Sequence, residues 1–497
     1  MDQFVTIIAL VGLVIVVASL LSGAIERTAI PLVAVFLALG AALGPWGFGL
    51  MDIGFESPEL RALATLGLAL VLFSDAVTID TAEVRARKRL AWVVLLPGTL
   101  VPAALMAVAA YYLLEVPAPA AAILGAGLAS TDPVLLRTML RSSALPPGTR
   151  MALRLESGMN DVALLPIIVI SMLFLLGGST GENGLSTGEL GRHLVGLFLL
   201  GPALGAAVGY GGILILGNVR DRVGVRRDYE SMYALGLAFT GYAAAEAVGG
   251  SGFLAAFAAG FMVASQDVEL CDCFLEYGEA TAEMLLLLTF VALGASLIWT
   301  GLTVISVRTL AFAAVALFVR TLVLYPMLTR TGLDQRERKL VSLFGPRGLS
   351  ALLFLLVPVF AGVPGSRELF TVACLVTLLS VVIHGGGIAF FLRANTAPGA
   401  NISTEASGTR APATRASERP LAANPGGGVP EKIELDEVRQ LVSRGEPVVV
   451  IDSRTEKGYG AEPDTSSGAV RVPPDDVVRG ATEKRLSQHS TLVVYCA

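Results

Sequence analysis

LRLESGMNDVALLPIIVISMLFLL, residues 153–176, decides how the rest of the chain is read. Its second half is an apolar run of the kind that crosses a bilayer. Its first half holds Glu156, Ser157, Asn160 and Asp161 in the same stretch. An Asp at the centre of a membrane helix costs about 3 kcal/mol on insertion scales. Residues that costly in lipid mark an ion or proton pathway, so the stretch points to transport.

The surrounding sequence has the same character. Of 497 residues, 54% are hydrophobic and only 15% are charged, and the mean hydropathy is +0.70. An ordinary soluble multidomain protein is excluded, and the fold class is an all-α polytopic membrane protein. Apolar stretches recur at 4–22, 29–49, 60–79, 90–114, 118–136, 154–176, 193–217, 230–248, 251–265, 281–300, 304–328, 339–361 and 368–392, giving about 13 transmembrane helices. The first of these reads as a retained membrane helix, because no signal-peptide cleavage pattern follows it. Cys271, Cys273, Cys374 and Cys496 form no disulfide framework, and Cys271-Asp272-Cys273 is read as an incidental pair. No cofactor and no nucleic-acid partner is expected; the bilayer itself is the main surrounding.

Loop charges orient the chain. Basic clusters follow the odd-numbered spans: Arg85, Arg87, Lys88 and Arg89 after the third, Arg137, Arg141 and Arg150 after the fifth, Arg220, Arg222, Arg226 and Arg227 after the seventh, and Arg330, Arg336, Arg338 and Lys339 after the eleventh. The even-numbered exits hold acids such as Asp52, Glu56, Glu115 and Glu182 instead. The positive-inside rule then places the N-terminus outside and the C-terminus in the cytoplasm of a multi-pass protein of the cell (inner) membrane.

Two spans carry interruptions. In the fifth, Pro133 follows Ser130-Thr131-Asp132, which removes a helix donor and also makes a helix-start signature. In the twelfth, Gly345-Pro346-Arg347-Gly348 interrupts SLFGPRGLSALLFLL. Broken helices at corresponding places in two halves are the mark of an inverted-repeat transporter with its site at their crossing. Further acids lie within spans at Asp75 and Glu246, and Arg320 is placed to pair with Glu246. His193 and His384 sit near span ends and belong to no recognisable constellation.

At this point the residues resemble a family. ASTDP (129–133), LESGMNDVALLPI (155–167), EAVGGSGFLAAFAAGF (246–261) and GPRGLSALL (345–353) are similar to motifs of the NhaP-type sodium/proton antiporters, in the monovalent cation:proton antiporter-1 family. The resemblance covers about residues 1–393. It implies that Asp161 binds the cation or the proton, that Asp132 completes the Na+ site, and that Thr131 and Ser157 offer oxygens. It further implies that Asn160 orients the site and that Glu156 and Arg347 form a buried ion pair. Asp75 falls near a helix-3 acid of the relatives. Alternating access and a homodimer are also implied.

The chemistry points the same way. A hard monovalent cation takes oxygen ligands. A carboxylate in a low-dielectric site can hold either a proton or a cation near neutral pH. Electrogenic relatives pair two adjacent aspartates and use a membrane lysine. Here Asn160 takes the first position, and Lys88, Lys339, Lys432, Lys457 and Lys484 all lie outside membrane cores. Electroneutral Na+/H+ antiport is the expectation, serving pH homeostasis, with K+ as the alternative cation.

Residues 394–430 are rich in Ala, Pro, Gly, Ser and Thr and read as a disordered linker. Residues 431–497 are read as a small α/β segment, with a helix near 433–445 and strands at 447–454 and 492–497. Asp452-Ser453-Arg454, Gly468-Ala469-Val470-Arg471-Val472-Pro473 and Cys496 resemble rhodanese-like domains, in which the cysteine accepts sulfur. The loop and helices that follow that cysteine in relatives lie beyond Ala497, so a truncated, inactive fragment is expected. The third functional alternative is a membrane-tethered sulfurtransferase.

Overall fold

The computed structural model describes residues 32–79, 87–142, 145–178, 187–223, 227–266, 272–395, 448–453, 469–472 and 491–495, with isolated positions elsewhere. The chain divides into two compact units, Met1–Ser403 and Thr404–Ala497, each taken by itself.

Among the described residues, the regular elements of the first unit are all helices. The helices with described bounds are, in chain order, α1 (Leu32–Leu43), α2 (Pro58–Val77), α3 (Lys88–Leu95) and α4 (Pro97–Leu113). Next come α5 (Ala118–Ala129), α6 (Pro133–Arg141) and the long α7 (Pro147–Gly178). α8 (Thr187–Val195) passes through a π-helical turn at Gly196–Leu200 into α9 (Gly201–Arg222). α10 is Arg227–Ala247, α11 Gly252–Ser265 and α12 Asp272–Ala295. A 3₁₀ stretch at Leu297–Val304 leads to α13 (Val307–Met327), α14 (Gln335–Leu343), α15 (Leu349–Phe360) and α16 (Ser366–Ser380). A second π-helical turn, Val381–Gly385, enters α17 (Gly386–Asn395).

Local chemistry sets several of these boundaries. Pro97 has no N–H to continue α3, so the expected span at 90–114 is two helices joined at Leu96. Ser306 and Asp334 open α13 and α14 with capping boxes, reciprocated by Thr309 and Glu337. Ser251, in the Gly-rich junction, caps α11 through the Leu254 N–H.

Among the described residues, seven helices are long and apolar enough to cross a membrane, or eight if Ala280–Ala295 and Leu297–Val304, bent by 50°, count as one span. Three further apolar helices, α1, α11 and α15, are shorter. Apart from isolated positions, the expected first span and the linker beyond Asn395 lie outside the described residues.

The helices sort into two bundles by their packing. α1, α2, α9, α10, α11 and α12 pack on one another; α3 to α7 and α13 to α16 form the second group. α2 lies at the junction, touching α7 and α15 of the second bundle. In the first bundle α9 and α11 approach closely. A Cβ at Gly205 would overlap the Ala255 backbone, and one at Gly209 the Ala259 carbonyl. Small residues four apart let two membrane helices pack backbone to backbone.

In the second unit, β1 (Val448–Asp452) is the centre of a three-stranded parallel sheet ordered β2-β1-β3, with β2 at Val470–Arg471 and β3 at Thr491–Tyr495. Asp452 pairs in register with Arg471 and Tyr495. Arg454, Gly468, Pro473 and Cys496 lie outside the described residues.

Candidate functional site

The break between α5 and α6 is three residues of extended chain, Ser130 to Asp132. The break between α14 and α15 runs from Phe344 to Gly348. The two unwound stretches cross, and Asp132 ties the crossing together. Its Oδ1 accepts from the Val134 N–H at 2.8 Å, capping α6. Its Oδ2 accepts from the Leu349 N–H at 2.7 Å, capping α15. Its own N–H donates to the Pro346 carbonyl at 3.0 Å. One carboxylate thus answers the orphan donors and the positive dipole ends of two helices at once. Gly348 is glycine because a Cβ there would run into the Asp132 carboxyl.

Arg347 serves the opposite helix pole. Its Nη1 donates to the Ala129 carbonyl at 2.6 Å and the Ser130 carbonyl at 3.2 Å, where α5 ends. A cation at a helix C-terminus complements both the exposed carbonyls and the dipole.

α7 faces this crossing with Glu156, Ser157, Asn160 and Asp161, positions that share one side of a helix. All four are buried. Asp161 Oδ1 accepts from Ser130 Oγ at 2.7 Å. Among the described residues, no lysine or arginine forms an ion pair with Asp161. Asn160 is completely buried, and neither amide atom has a hydrogen-bond partner among the described residues. Ser157 Oγ donates to its own helix, to the Arg154 carbonyl at 3.4 Å. Thr131 Oγ1 donates to Glu156 Oε1 at 3.2 Å. Asp75 comes from α2: its Cβ lies 3.6 Å from where a side chain on Gly158 would begin. The site therefore gathers carboxylates and hydroxyls from the Ser130–Asp132 break and from α7, with Asp75 of α2 lying beside Gly158 of α7. Oxygen donors of this kind suit a hard monovalent cation.

Residues 12–394 match the family described as sodium/hydrogen exchanger, transmembrane. This chain belongs to that family. Its relatives include a K(+)/H(+) antiporter NhaP from Alkalimonas amylolytica, 26% identical over 388 residues, a match covering 77% of this chain and 65% of that protein. A K(+)/H(+) antiporter NhaP2 from Shewanella sp. (strain MR-4) is also 26% identical, over 76% of this chain and 65% of its own length. The chain thus spans slightly less than two thirds of these relatives. An Na(+)/H(+) antiporter NhaH from Halobacillus dabanensis is 26% identical over 77% of this chain and 96% of its own. The fold is that of the sodium proton antiporter MjNhaP1 from Methanocaldococcus jannaschii, solved at pH 8: TM-score 0.59 at 21% identity, covering 78% of this chain and 100% of that one. As a member of this family, the protein is a multi-pass membrane protein with a mostly helical fold.

Two ion pairs expected from the sequence form otherwise. Glu156 does not pair with Arg347. It is held by Arg320 of α13, whose Nε donates to Oε1 at 2.5 Å and whose Nη2 donates to Oε2. Arg320 Nη1 also donates to the Ser342 carbonyl at 2.8 Å. The reason is competition: the Arg347 guanidinium is engaged by the carbonyls at the end of α5, and Arg320 faces α7 from mid-helix. Nor does Arg320 reach Glu246. Glu246 Oε1 accepts the Gly252 N–H at 2.9 Å and fixes the turn between α10 and α11. The sequence signal for Arg320 is its place as a lone charge within LAFAAVALFVRTLVLYPM, which demands a buried partner.

Proposed function

We propose that this protein exchanges a monovalent cation for a proton across the membrane, one for one, with Asp161 as the carrier. The observation that carries the reading is Asp161 itself: a buried carboxylate with one hydroxyl donor and no ion-pair partner among the described residues. An uncompensated charge there is costly, and either a proton or a bound cation compensates it. Competition between the two for one carboxylate yields exchange. Thr131, Ser157, Asp132 and Asp75 are the further oxygen sources in this reading, with Asn160 orienting the pocket.

Electroneutral exchange is supported by what the other buried charges do. Asp132 has both oxygens committed to backbone N–H groups. Arg320 and Arg347 are bound to Glu156 and to backbone carbonyls, and an arginine does not release its proton in a protein. With Asp132 and the arginines so committed and Asp75 read as a further oxygen ligand, Asp161 is the single carrier in this reading.

Sodium is the first reading of the cation. Potassium is the second, because relatives named as K(+)/H(+) and as Na(+)/H(+) antiporters are similar to the chain at the same 26% identity. Proteoliposomes with a trapped pH dye decide between them: sodium-driven dequenching supports the first, potassium-driven dequenching alone the second. Asp161→Asn abolishes either flux; full exchange in that variant refutes the assignment.

The reading includes thirteen spans in two inverted repeats, an N-terminus outside, a cytoplasmic C-terminus and an alternating-access movement of the second bundle against the first. Its domains are 1–393 for transport, 394–430 as a linker and 431–497 as a rhodanese-like segment. The homodimer rests on the family resemblance. The sulfurtransferase alternative is not part of this reading.

A further inference from the structure

Arg347 has a backbone problem of its own. It lies in the unwound stretch between α14 and α15, where its N–H has no helical acceptor. A buried backbone donor without a partner is rare in folded proteins. The acceptor comes from α16: the Arg347 N–H donates to Ser380 Oγ at 2.7 Å. Ser380 in turn meets His384 Nδ1 at 3.1 Å, one helical turn on. Both side chains are buried, Ser380 completely. The π-helical turn Val381–Gly385 starts immediately after Ser380 and contains His384. Such wide turns are uncommon and often sit at functional places.

One hydrogen-bond direction is set by the backbone donor. Ser380 Oγ already accepts from Arg347, so its single proton is available to donate. Among the described residues, the acceptor within reach is His384 Nδ1. With that proton turned to Nδ1, the imidazole is neutral and carries its own proton on Nε2, the arrangement on which the proposal below is built. A continuous chain then runs from His384 through Ser380 to the Arg347 backbone. It continues from the Arg347 guanidinium to the Ala129 and Ser130 carbonyls, and from the Ser130 hydroxyl to Asp161.

We propose that His384 is a positioning residue of the exchange site, acting through Ser380 to fix the unwound Arg347 segment against the Ser130–Asp161 contact. The effect on transport rests on the exchange reading above. The effect on the backbone does not. Losing one such hydrogen bond shifts an equilibrium by about fivefold.

The test uses full-length protein and four variants. His384→Asn places an oxygen where Nδ1 stands, His384→Gln places it where Nε2 stands, and His384→Leu and Ser380→Ala remove the link. Hydrogen–deuterium exchange of peptides covering 344–349 reads the backbone, and proteoliposome exchange reads the site. In Leu, Gln and Ser380→Ala the Arg347 amide exchanges about fivefold faster. In the same variants the half-saturating cation concentration rises by about the same factor, with maximal rate held within about twofold. His384→Asn restores both readouts. Ser380→Ala carries the test if His384→Leu fails to fold. Unchanged amide exchange in His384→Leu and Ser380→Ala overturns the inference, as does an Asn variant no better than Gln. A loss confined to maximal rate also overturns it, since general destabilisation has that form. If wild-type protein moves neither cation, the exchange reading falls and the amide readout still judges the link.

Discussion

Asp132→Asn and Asp161→Asn are the same chemical change at two buried carboxylates of one site, and the structure predicts opposite consequences for stability. Asp132 uses both carboxylate oxygens, one for the Val134 N–H at the start of α6 and one for the Leu349 N–H at the start of α15. An asparagine has one carbonyl oxygen and must turn its NH2 toward the other donor. Loss of a helix cap costs about 1 kcal/mol. A buried N–H left without an acceptor adds about 1–3 kcal/mol. The lost negative charge at two helix N-termini adds some tenths more at each. The expected destabilisation is about 3 kcal/mol. Asp161→Asn keeps an oxygen for the Ser130 hydroxyl and removes a charge that no ion-pair partner among the described residues compensates. Its stability is unchanged or raised. Thermal unfolding of the purified proteins, scanned in detergent without sodium or potassium, ranks the three; bound cation would stabilise wild type by mass action and confuse the ranking. The expected order is Asp161→Asn at or above wild type and Asp132→Asn well below it, with neither variant exchanging. An Asp132→Asn protein as stable as wild type refutes the double-cap account. An Asp161→Asn protein as unstable as Asp132→Asn refutes the account of Asp161 as an uncompensated carrier.

Other substitutions test the surrounding frame. Glu156→Leu leaves Arg320 buried without its carboxylate and lowers stability by about 3–5 kcal/mol; adding Arg320→Met recovers most of it, which thermal unfolding of single and double variants measures. Gly348→Ala forces a Cβ into the Asp132 carboxyl, so exchange is lost and the unfolding midpoint falls. Gly205→Val pushes α9 off the Ala255 backbone and lowers the unfolding midpoint in detergent, while Gly211→Val, with nothing within 4 Å of its Cβ position, leaves it unchanged.

The sequence made the breaks readable because proline and glycine act on their own backbone. Pro133 and Pro346 each remove a donor, and the structure leaves the helix at Ser130 and at Phe344, beside them. The burial of Asp132, Asn160 and Asp161 was legible for a similar reason: a polar side chain in an apolar span has to face inward. Pairing is another matter. Which arginine meets Glu156 depends on how α13 lies against α7, a fact of tertiary packing with no local signal. The motif resemblance points to Arg347, but its Nη1 is taken by the Ala129 and Ser130 carbonyls, while Arg320 keeps Nε and Nη2 for a bidentate grip on Glu156. His384 illustrates the same limit. Its neighbour four residues back, Ser380, is visible in the sequence, but the Arg347 N–H that gives their pairing its purpose lies 33 positions away. Contacts made by backbone atoms at a break are invisible to side-chain patterns, yet here they determine the site. Asp132, Arg347 and Ser380 each contact unwound main chain, so the candidate site is held by main-chain groups released where two helices come apart.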